Sequence, residues 1–407
     1  MNRFIDKLRI VTSAGLAVAM FCAADWPQFR GPNSSGVSGD RQPPSDWSES
    51  QNIAWKADLP GRGPSSPIVI GNRVVVTCSS GINQDRLHVI CFDATNGKQL
   101  WQRQFWATGR TLSHPSSANA APTPVSDGKL IFAFYSSNDL LCLDLDGNLK
   151  WLRGLGHDFP HAGNDVGMSS SPVVVGDLVI VQVECQGDSF ASGIDKNYGE
   201  TRWRIDRPRE ANWTSPVAMS GEKPGANVVL LQSPAHITAH EAETGKQIWE
   251  YRTACEGIPS STVSGGLIYV PSKGMTALRP SSSTEPEVVW NASALLPGAA
   301  SPIVHDGHLF TINRAGVLAC ANTADGQVLW RVRLSGEFWG SPALVANRLY
   351  CLSQNGAAQV VEISADGSRG EIVGKGQLEG PIQCSPAIAD GALYVRSDRH
   401  LWKIAAP

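Results

Sequence analysis

Two kinds of side chain in this sequence could hold a ligand. Asp165 and Glu256 carry carboxylates, and several asparagines lie in similar segments; such oxygens are the ligands that a hard cation prefers. Trp213 and Trp339 could flank a planar ring. The full set of candidate binding residues is Arg62, Asn119, Asn164, Asp165, Asn212, Trp213, Glu256, Trp339 and Gln383. The alternative is that these residues line a wet, polar funnel with no ligand of its own.

Histidines cluster in two longer segments, residues 106–119 and 154–167, which contain His114, His157 and His161. The spacing of His157 and His161 would suit a metal pair on a helix. Pro160 and the nearby glycines disfavour a helix at this place. We therefore predict solvent-exposed recognition loops and no metal site.

Motifs for nucleophilic, phosphoryl-transfer or zinc chemistry do not occur: the sequence has no GxSxG, P-loop, HExxH or kinase signature. We predict no catalytic residue. No motif indicates glycan binding or hydrolysis either.

Each candidate residue precedes a recurring marker, which is a small residue followed by proline and an apolar stretch. The markers are centred on Pro67, Pro124, Pro172, Pro216, Pro302, Pro342 and Pro386, with Thr262 assigned to the remaining slot. Successive markers are 40 to 57 residues apart, and each unit contains four short apolar runs separated by Gly, Asn or Asp turns. This pattern predicts an all-β fold, an eight-bladed β-propeller of four-stranded antiparallel blades. The candidate residues then converge on the axis at one face.

A second repeat ends each unit, as in "DATNGKQLW" (93–101), "EAETGKQIW" (241–249) and "NTADGQVLW" (322–330). Asp or Asn favours a turn, Gly supplies a positive φ, and the Trp would point the same way from each outer strand. We predict that these tryptophans pack between adjacent blades rather than around a ligand. They are Trp55, Trp101, Trp151, Trp203, Trp249, Trp290 and Trp330.

The ends of the chain are expected to meet. The seventh unit has an aliphatic run where Trp is expected, which predicts a weaker seam. The eighth unit, ending in "HLWKIAAP", lacks a fourth strand, and residues 52–60 could supply it. The predicted organisation is a signal peptide at 1–24, an N-terminal extension at 25–52 and the propeller at 53–407.

The first residues have the pattern of a secretory signal, with a basic start, a twelve-residue apolar run and small residues before Asp25. Cleavage after Ala24 would leave 31 basic and 36 acidic residues, a net charge of −5. No basic patch indicates nucleic acid, and no later run is long enough to cross a membrane. We expect a monomer that is periplasmic or secreted; a lipid anchor on Cys22 is the weaker alternative, because the bulky Phe21 precedes it.

Eight cysteines remain after Cys22, and none is adjacent to another or in CxxC spacing. Most lie in apolar strand patterns, which indicates buried thiols. A cross-strand disulfide between Cys78 and Cys91 is the alternative that an exported location would permit.

The tryptophan repeats over residues 53–407 resemble those of the PQQ-like β-propeller superfamily. The stretch "WPQFRGPNSSGVS" (26–38) resembles the start of its exported members. The resemblance implies one of two activities. Quinoprotein dehydrogenases of this superfamily carry pyrroloquinoline quinone (PQQ) and Ca²⁺ at the axis, whereas the propeller lipoprotein of the outer-membrane β-barrel assembly machine is non-catalytic.

Two function hypotheses follow. The first is an exported, non-catalytic scaffold without a cofactor, which binds an envelope protein or a polymer through its axial face and the loops near His114 and His157. The second is a PQQ- and Ca²⁺-dependent alcohol dehydrogenase, including the polyvinyl-alcohol type, with Asp165 or Glu256 as base or Ca²⁺ ligand. This sequence is shorter than those dehydrogenases and lacks the adjacent cysteine pair that covers their cofactor.

Overall fold

The computed structural model describes residues 25–221, 227–282 and 284–407, which form 33 strands. The predicted signal peptide lies outside these residues. The N-terminal segment contributes a 3-10 turn (Pro32–Ser34), β1 (Val37–Ser38) and β2 (Ile53–Asp58). The remaining strands follow as seven groups of four and a last group of three. No helix of the described residues is both long and apolar enough to span a bilayer.

The first four sheets are consecutive along the chain, each running from the innermost to the outermost strand. Blade 1 contains β3 (Ile68–Ile70), β4 (Arg73–Ser80), β5 (Arg86–Asp93) and β6 (Gln99–Trp106). Blade 2 contains β7 (Val125–Ser126), β8 (Leu130–Phe134), β9 (Asp139–Asp144) and β10 (Leu149–Gly154), followed by the one-turn helix α1 (Leu155–Asp158). Blade 3 contains β11 (Val173–Val175), β12 (Leu178–Val183), β13 (Phe190–Asp195) and β14 (Thr201–Asp206). Blade 4 contains β15 (Val217–Ser220), β16 (Asn227–Ser233), β17 (His236–Glu241) and β18 (Gln247–Arg252).

The other four sheets continue the series, and the last one also uses the N-terminal strand β2. Blade 5 contains β19 (Thr262–Ser264), β20 (Leu267–Ser272), β21 (Gly274–Arg279) and β22 (Glu287–Ala292). Blade 6 contains β23 (Ile303–His305), β24 (His308–Ile312), β25 (Val317–Asn322) and β26 (Val328–Arg333). Blade 7 contains β27 (Ala343–Val345), β28 (Arg348–Leu352), β29 (Ala357–Ile363) and β30 (Gly370–Gln377). Blade 8 contains β31 (Ala387–Ala389), β32 (Ala392–Arg396) and β33 (His400–Ile404).

This arrangement confirms the predicted eight-bladed propeller. The middle strands are buried on both faces because each blade is packed between two others; all six residues of β12 are buried. The outer strands alternate between more and less exposed positions, as in β26. The apolar core therefore consists of a series of clusters between neighbouring blades.

The N-terminal strand closes the ring. β2 pairs antiparallel with β33, in a register that places Ile53 opposite Ile404 and Asp58 opposite His400. The predicted fourth strand of blade 8 therefore comes from the N-terminal segment. Closure pairs both ends of the chain inside one sheet, which removes a long unpaired edge.

The repeated tryptophans lie between blades. Six of them donate the indole Nε1–H to a backbone carbonyl in the next blade at 2.8–3.0 Å. The donors Trp55, Trp101, Trp151, Trp203, Trp290 and Trp330 bond the carbonyls of Ala94, Leu145, Lys196, Ala242, Thr323 and Gly367, respectively. Trp249 is 4% exposed within the cluster between blades 4 and 5.

Two physical constraints favour glycine at this position of the motif. Gly245 has φ 71°, a conformation that other residues rarely adopt. A Cβ at this position would also lie only 2.7 Å from the ring of Trp203 in the preceding blade. The acidic residue begins the turn as expected: Asp93 Oδ1 accepts the Thr95 N–H at 2.7 Å.

The seam after blade 7 is filled from outside the repeat. β30 contains no tryptophan, as the sequence indicates, but Trp47 of the N-terminal segment bridges to Gly376 and is 4% exposed. The adjoining Pro43 carbonyl accepts a hydrogen bond from Tyr350 Oη at 2.6 Å. The repeats do not predict this contact, because Trp47 belongs to none of them.

The eight described cysteines are all free, and the Cys78–Cys91 alternative is wrong. Cys78 lies opposite His88, whereas Cys91 lies opposite Val75, three positions further along the same strand pair. The two thiols therefore lie in different clusters. Burial raises the pKa of Cys91 to about 12, which keeps this thiol protonated.

Removing one inter-blade indole is expected to destabilise the fold. Trp203 is 7% exposed and bonds Ala242, so Trp203→Ala removes both a large buried area and a hydrogen bond. We expect a loss of about 3–5 kcal/mol in the free energy of unfolding. The measurement is urea denaturation followed by circular dichroism. Trp106→Ala is the matched control, because Trp106 is 60% exposed, and it should cost below ~1 kcal/mol. Equal losses in the two variants would contradict the assignment.

Candidate functional site

A ring of hydrogen bonds surrounds the axis where the innermost strands begin. In each blade the residue before the proline slot donates its backbone N–H to the hydroxyl of the corresponding residue in the next blade, at 2.9–3.0 Å. We call these residues the hydroxyl ring; they are Ser66, Thr123, Ser171, Ser215, Ser260, Ser301, Ser341 and Ser385. The last bond, from Ser385 N–H to Ser66 Oγ, closes the circle.

The ring corrects one sequence assignment. Ser260 occupies the ring position in blade 5, so Ser261 and not Thr262 stands in the proline slot. Thr262 begins β19, as Ile68 begins β3. Blade 5 has no proline in its marker. Without the pairing between strands, the position that corresponds to proline could be assigned one residue away.

The marker now has a physical explanation. The residues just before the innermost strands have no neighbouring strand to pair with, so their buried N–H groups need other acceptors. A serine or threonine hydroxyl supplies one, and the proline that follows has no N–H to satisfy. A residue with a side-chain hydroxyl therefore occupies this position in all eight blades.

The hydroxyl ring lines a cavity of about 360 Å³ on the axis. The loops before the innermost strands supply Val166, Met168, Trp213, Ile258 and Trp339, and the N-terminal segment supplies Phe29. His114 is the only titratable side chain among the described residues that line this cavity. The cavity is therefore uncharged, partly aromatic and rich in hydroxyl groups.

The N-terminal segment crosses the channel below this cavity. Trp26 pairs with Val69 in blade 1 through two backbone hydrogen bonds of 2.9 Å, and Pro27 accepts the Ser126 N–H of blade 2. Arg30 reaches the opposite blades 5 and 6 through Thr262 and Pro302, and Val37 in β1 pairs parallel with Leu344 of blade 7. The segment thus contacts innermost strands across the ring and leaves the cavity open toward the opposite face.

Arg30 anchors the segment from within. Its side chain is 1% exposed and donates to Thr262 Oγ1 at 2.7 Å and to the carbonyls of Pro302 and Ser261. Burial lowers the pKa of Arg30 to about 9, because the guanidinium loses its hydration. The guanidinium N–H groups of Arg30 that make these bonds face the strands. Arg30 is not among the residues that line the cavity.

Three of the nine candidate residues line the axial cavity: Trp213, Trp339 and Gln383. Trp213 is held in place by its Nε1–H, which donates to the Gly167 carbonyl at 2.9 Å. Trp339 is 44% exposed at the mouth.

The amide candidates lie in structural hydrogen bonds. Asn119 is fully buried, donates to the Gln84 carbonyl and accepts the Ser137 N–H. Asn212 donates to Thr214 and to the Gln232 carbonyl. Asn164 accepts the Val166 N–H at 3.1 Å. None of these three amides lines the cavity.

The charged candidates form ion pairs around the mouth. Arg62 contacts Asp398 at 2.9 Å, Asp165 contacts Arg110 at 2.6 Å, and Glu256 lies 3.8 Å from Arg314. None of these pairs contributes a charge to the cavity lining.

The histidine segments meet at the mouth. The His114 N–H donates to the Val166 carbonyl at 3.1 Å, which joins segment 106–119 to segment 154–167. His157 lies in α1, a single turn that ends at Asp158 before Pro160, so His161 is outside the helix. Within the described residues no three His, Cys, Asp or Glu side chains are grouped to hold a metal ion.

A buried polar network that the repeats do not predict lies between blades 3 and 4. Arg207 Nε contacts Glu184 Oε1 at 2.7 Å, with 4% and 0% side-chain exposure. Ser233 and Gln182 also donate to this oxygen. Polar residues within the apolar run "DLVIVQVE" were the available signal. The network extends to the residues near the cavity mouth. The Gln232 side chain accepts a hydrogen bond from the Ser261 hydroxyl at 2.6 Å and donates one to the Glu256 carbonyl.

Comparison with known proteins agrees with this architecture. The PQQ_2 family model, described as "Outer membrane protein assembly factor BamB", matches residues 47–191, 107–261, 187–300 and 281–370. The chain belongs to this family. Outer membrane protein assembly factor BamB of Yersinia pestis is 24% identical over 293 residues, which cover 68% of this chain and 67% of that protein. Proteins of the same name from Alkalilimnicola ehrlichii and Legionella pneumophila match over about half of their length.

Solved structures share the fold at low sequence identity. BamB from Moraxella catarrhalis has a TM-score of 0.63 and 15% identity, covering 86% of this chain and 96% of that one. Quinohemoprotein alcohol dehydrogenase from Comamonas testosteroni has a TM-score of 0.65 and 11% identity, covering 94% and 81%. Because both identities are low, these likenesses concern the fold alone.

The hydroxyl ring should contribute to stability. Ser301→Ala leaves the Ser260 N–H, in a residue 2% exposed, without its acceptor. We expect a loss of about 1–3 kcal/mol in the free energy of unfolding. Urea denaturation measures it. Ser117→Ala is the control, because Ser117 lines the same cavity outside the ring, and it should change stability by no more than about 0.5 kcal/mol. A neutral Ser301→Ala would contradict this role.

Stability should depend on pH through His240, whose Nε2 lies 2.9 Å from the Thr238 hydroxyl that Arg207 of the buried network also contacts. Burial lowers the pKa of His240 to about 4, below the value near 6.5 expected in the unfolded chain. Between these values the unfolded state binds a proton that the folded state excludes. His240 therefore makes its full contribution to the free energy of unfolding above pH ~6.5. This contribution falls on acidification toward pH ~4, by on the order of 3 kcal/mol.

Urea midpoints at pH 7.5 and pH 5 measure this dependence. His240→Gln should reduce the difference between the two midpoints, whereas His157→Gln, at an exposed position, should leave it unchanged. An unchanged difference in His240→Gln would show that other groups cause the acid sensitivity.

Proposed function

We propose that this chain is an exported, non-catalytic propeller that acts as a binding or scaffold module in the cell envelope. The observation that carries the proposal is the chemistry of the axial cavity. Its described lining contains one titratable side chain, His114, and no carboxylate, thiol, lysine or arginine that could complete a catalytic group or a metal site with it. A concave, uncharged site with aromatic walls is suited to binding.

Family membership supports an envelope location. The relatives are called outer membrane protein assembly factors, and we transfer from them only the setting. Our proposed partner is an envelope protein or a polymer, engaged through the axial face and the joined segments 106–119 and 154–167. We propose a periplasmic or secreted monomer, consistent with the signal-like N-terminus.

The residues at the axis do not fit PQQ and Ca²⁺. Ca²⁺ takes six to eight oxygen ligands, usually including carboxylates, and a polycarboxylate quinone needs cationic partners. Asp165 and Glu256, the two acidic candidates, are paired with arginines outside the cavity lining, and Arg62 is paired with Asp398. The fold likeness to the alcohol dehydrogenase does not supply these groups.

The test is a titration of the protein, purified after expression of the full chain, with PQQ and Ca²⁺. Alcohol-dependent dye reduction is the readout, and tryptophan fluorescence reports binding. We expect no Ca²⁺-dependent turnover with small alcohols or polyvinyl alcohol. Turnover that Glu256→Gln or Asp165→Asn abolishes would overturn the proposal and identify an alcohol dehydrogenase. Arg314→Gln, which removes only a partner of Glu256, is the matched control.

A further inference from the structure

The hydroxyl ring has unused hydrogen-bond donors. Each ring oxygen accepts a neighbouring N–H, and its own O–H donates to no acceptor among the described residues. The ring residues are only 2–6% exposed and all line the axial cavity, so these donors face it. A hydroxyl that already accepts one bond still offers one proton and one lone pair. The cavity therefore presents groups that both donate and accept hydrogen bonds.

Aromatic surface lies next to these hydroxyls. Trp213 and Trp339 line the upper part of the cavity, and Phe29 lines it from the N-terminal segment. The Trp213 N–H is already bonded to Gly167, so this indole contributes apolar surface and no free donor. Aromatic faces beside hydroxyl groups match a ligand that has apolar C–H faces and a hydroxylated edge.

The absence of charge narrows the ligand further. An ion that enters the cavity loses hydration, and the described lining contains no carboxylate, lysine or arginine that would compensate with an opposite charge. Arg30, a buried cation of the N-terminal segment, is directed at strand carbonyls and the Thr262 hydroxyl. A neutral polyhydroxy compound avoids this cost, because its O–H groups exchange water for the ring hydroxyls.

We propose that the axial cavity binds the end of a neutral saccharide. This inference rests on the proposed function, since it names the class of polymer that a non-catalytic propeller would hold. The volume of about 360 Å³ lies near the lower end of ligand pockets and suits a mono- or disaccharide. One sugar ring would lie against Trp213 and Trp339, with its hydroxyls toward the ring residues.

The N-terminal segment makes the site one-sided. Since the residues from Trp26 to Val37 cross the channel and Phe29 lies at the cavity, a glycan cannot thread through the axis. Only a chain end can enter. Affinity should therefore rise from monosaccharide to disaccharide and then stay constant as the chain lengthens, whereas a surface groove would gain affinity with each unit.

The experiment titrates the protein, purified after expression of the full chain, with glucose, maltose, maltotriose and the corresponding cellulose and chitin series. Calorimetry and tryptophan fluorescence are the readouts. We expect saturable binding of at least one neutral series, with the length dependence above. Trp339→Ala should weaken that binding more than roughly tenfold. Trp106→Ala, which changes an exposed indole outside the cavity, should leave it unchanged.

Three outcomes overturn the inference: no neutral saccharide binds, binding is indifferent to Trp339→Ala, or benzoate and glucuronate bind in place of the neutral sugars. The two proposals fail separately. If no saccharide binds and no PQQ-dependent turnover is seen, only this inference is wrong. If the protein oxidises alcohols in a Ca²⁺-dependent way, the proposed function itself is wrong.

Discussion

The hydroxyl ring is the constraint on which the axis of this propeller depends. Eight innermost strands converge on the axis, and the residues just before them have no strand partner, so eight buried N–H groups would be left without acceptors. The chain places a serine or threonine at each of these positions, and each hydroxyl serves the neighbouring blade. Every such bond lies between blades. The inner circumference is therefore set by hydrogen bonds, whereas the outer circumference is set by indoles packed on turn glycines.

Much of the fold can be predicted from these two repeats. The Trp repeat marks the outer strands and the hydroxyl–proline marker marks the innermost ones, and together they give the number of blades and the closing role of β2. The prediction fails where a repeat loses its marker. Ser261 replaces proline in blade 5, which shifted the assignment to Thr262, and blade 7 lacks its tryptophan, for which Trp47 substitutes from a distant part of the chain.

The site was less predictable, because sequence gives the types of loop residues but not their partners. Asp165 and Glu256 have the chemistry of metal ligands, yet each lies beside an arginine from another loop. Trp213, Trp339 and Gln383 do line the cavity, since each lies two positions before a ring residue. The ring residues appear in the sequence as serines, and one threonine, that mostly precede a proline. Their hydrogen bonds could be assigned only from the positions of the blades relative to one another, which no local pattern contains.

The same geometry connects stability to the chemistry available at the axis. A propeller that supported its axis with charged side chains would need counter-charges there, and these could hold ions or polar cofactors. This chain satisfies its axis with hydroxyls, pairs the mouth carboxylates with arginines, and buries Arg30 against carbonyls below. What remains for a ligand is a set of weak, neutral donors beside aromatic surface. Such a site gains affinity from shape and many small contacts rather than from charge, which is why a neutral, hydroxylated ligand fits it better than an ion.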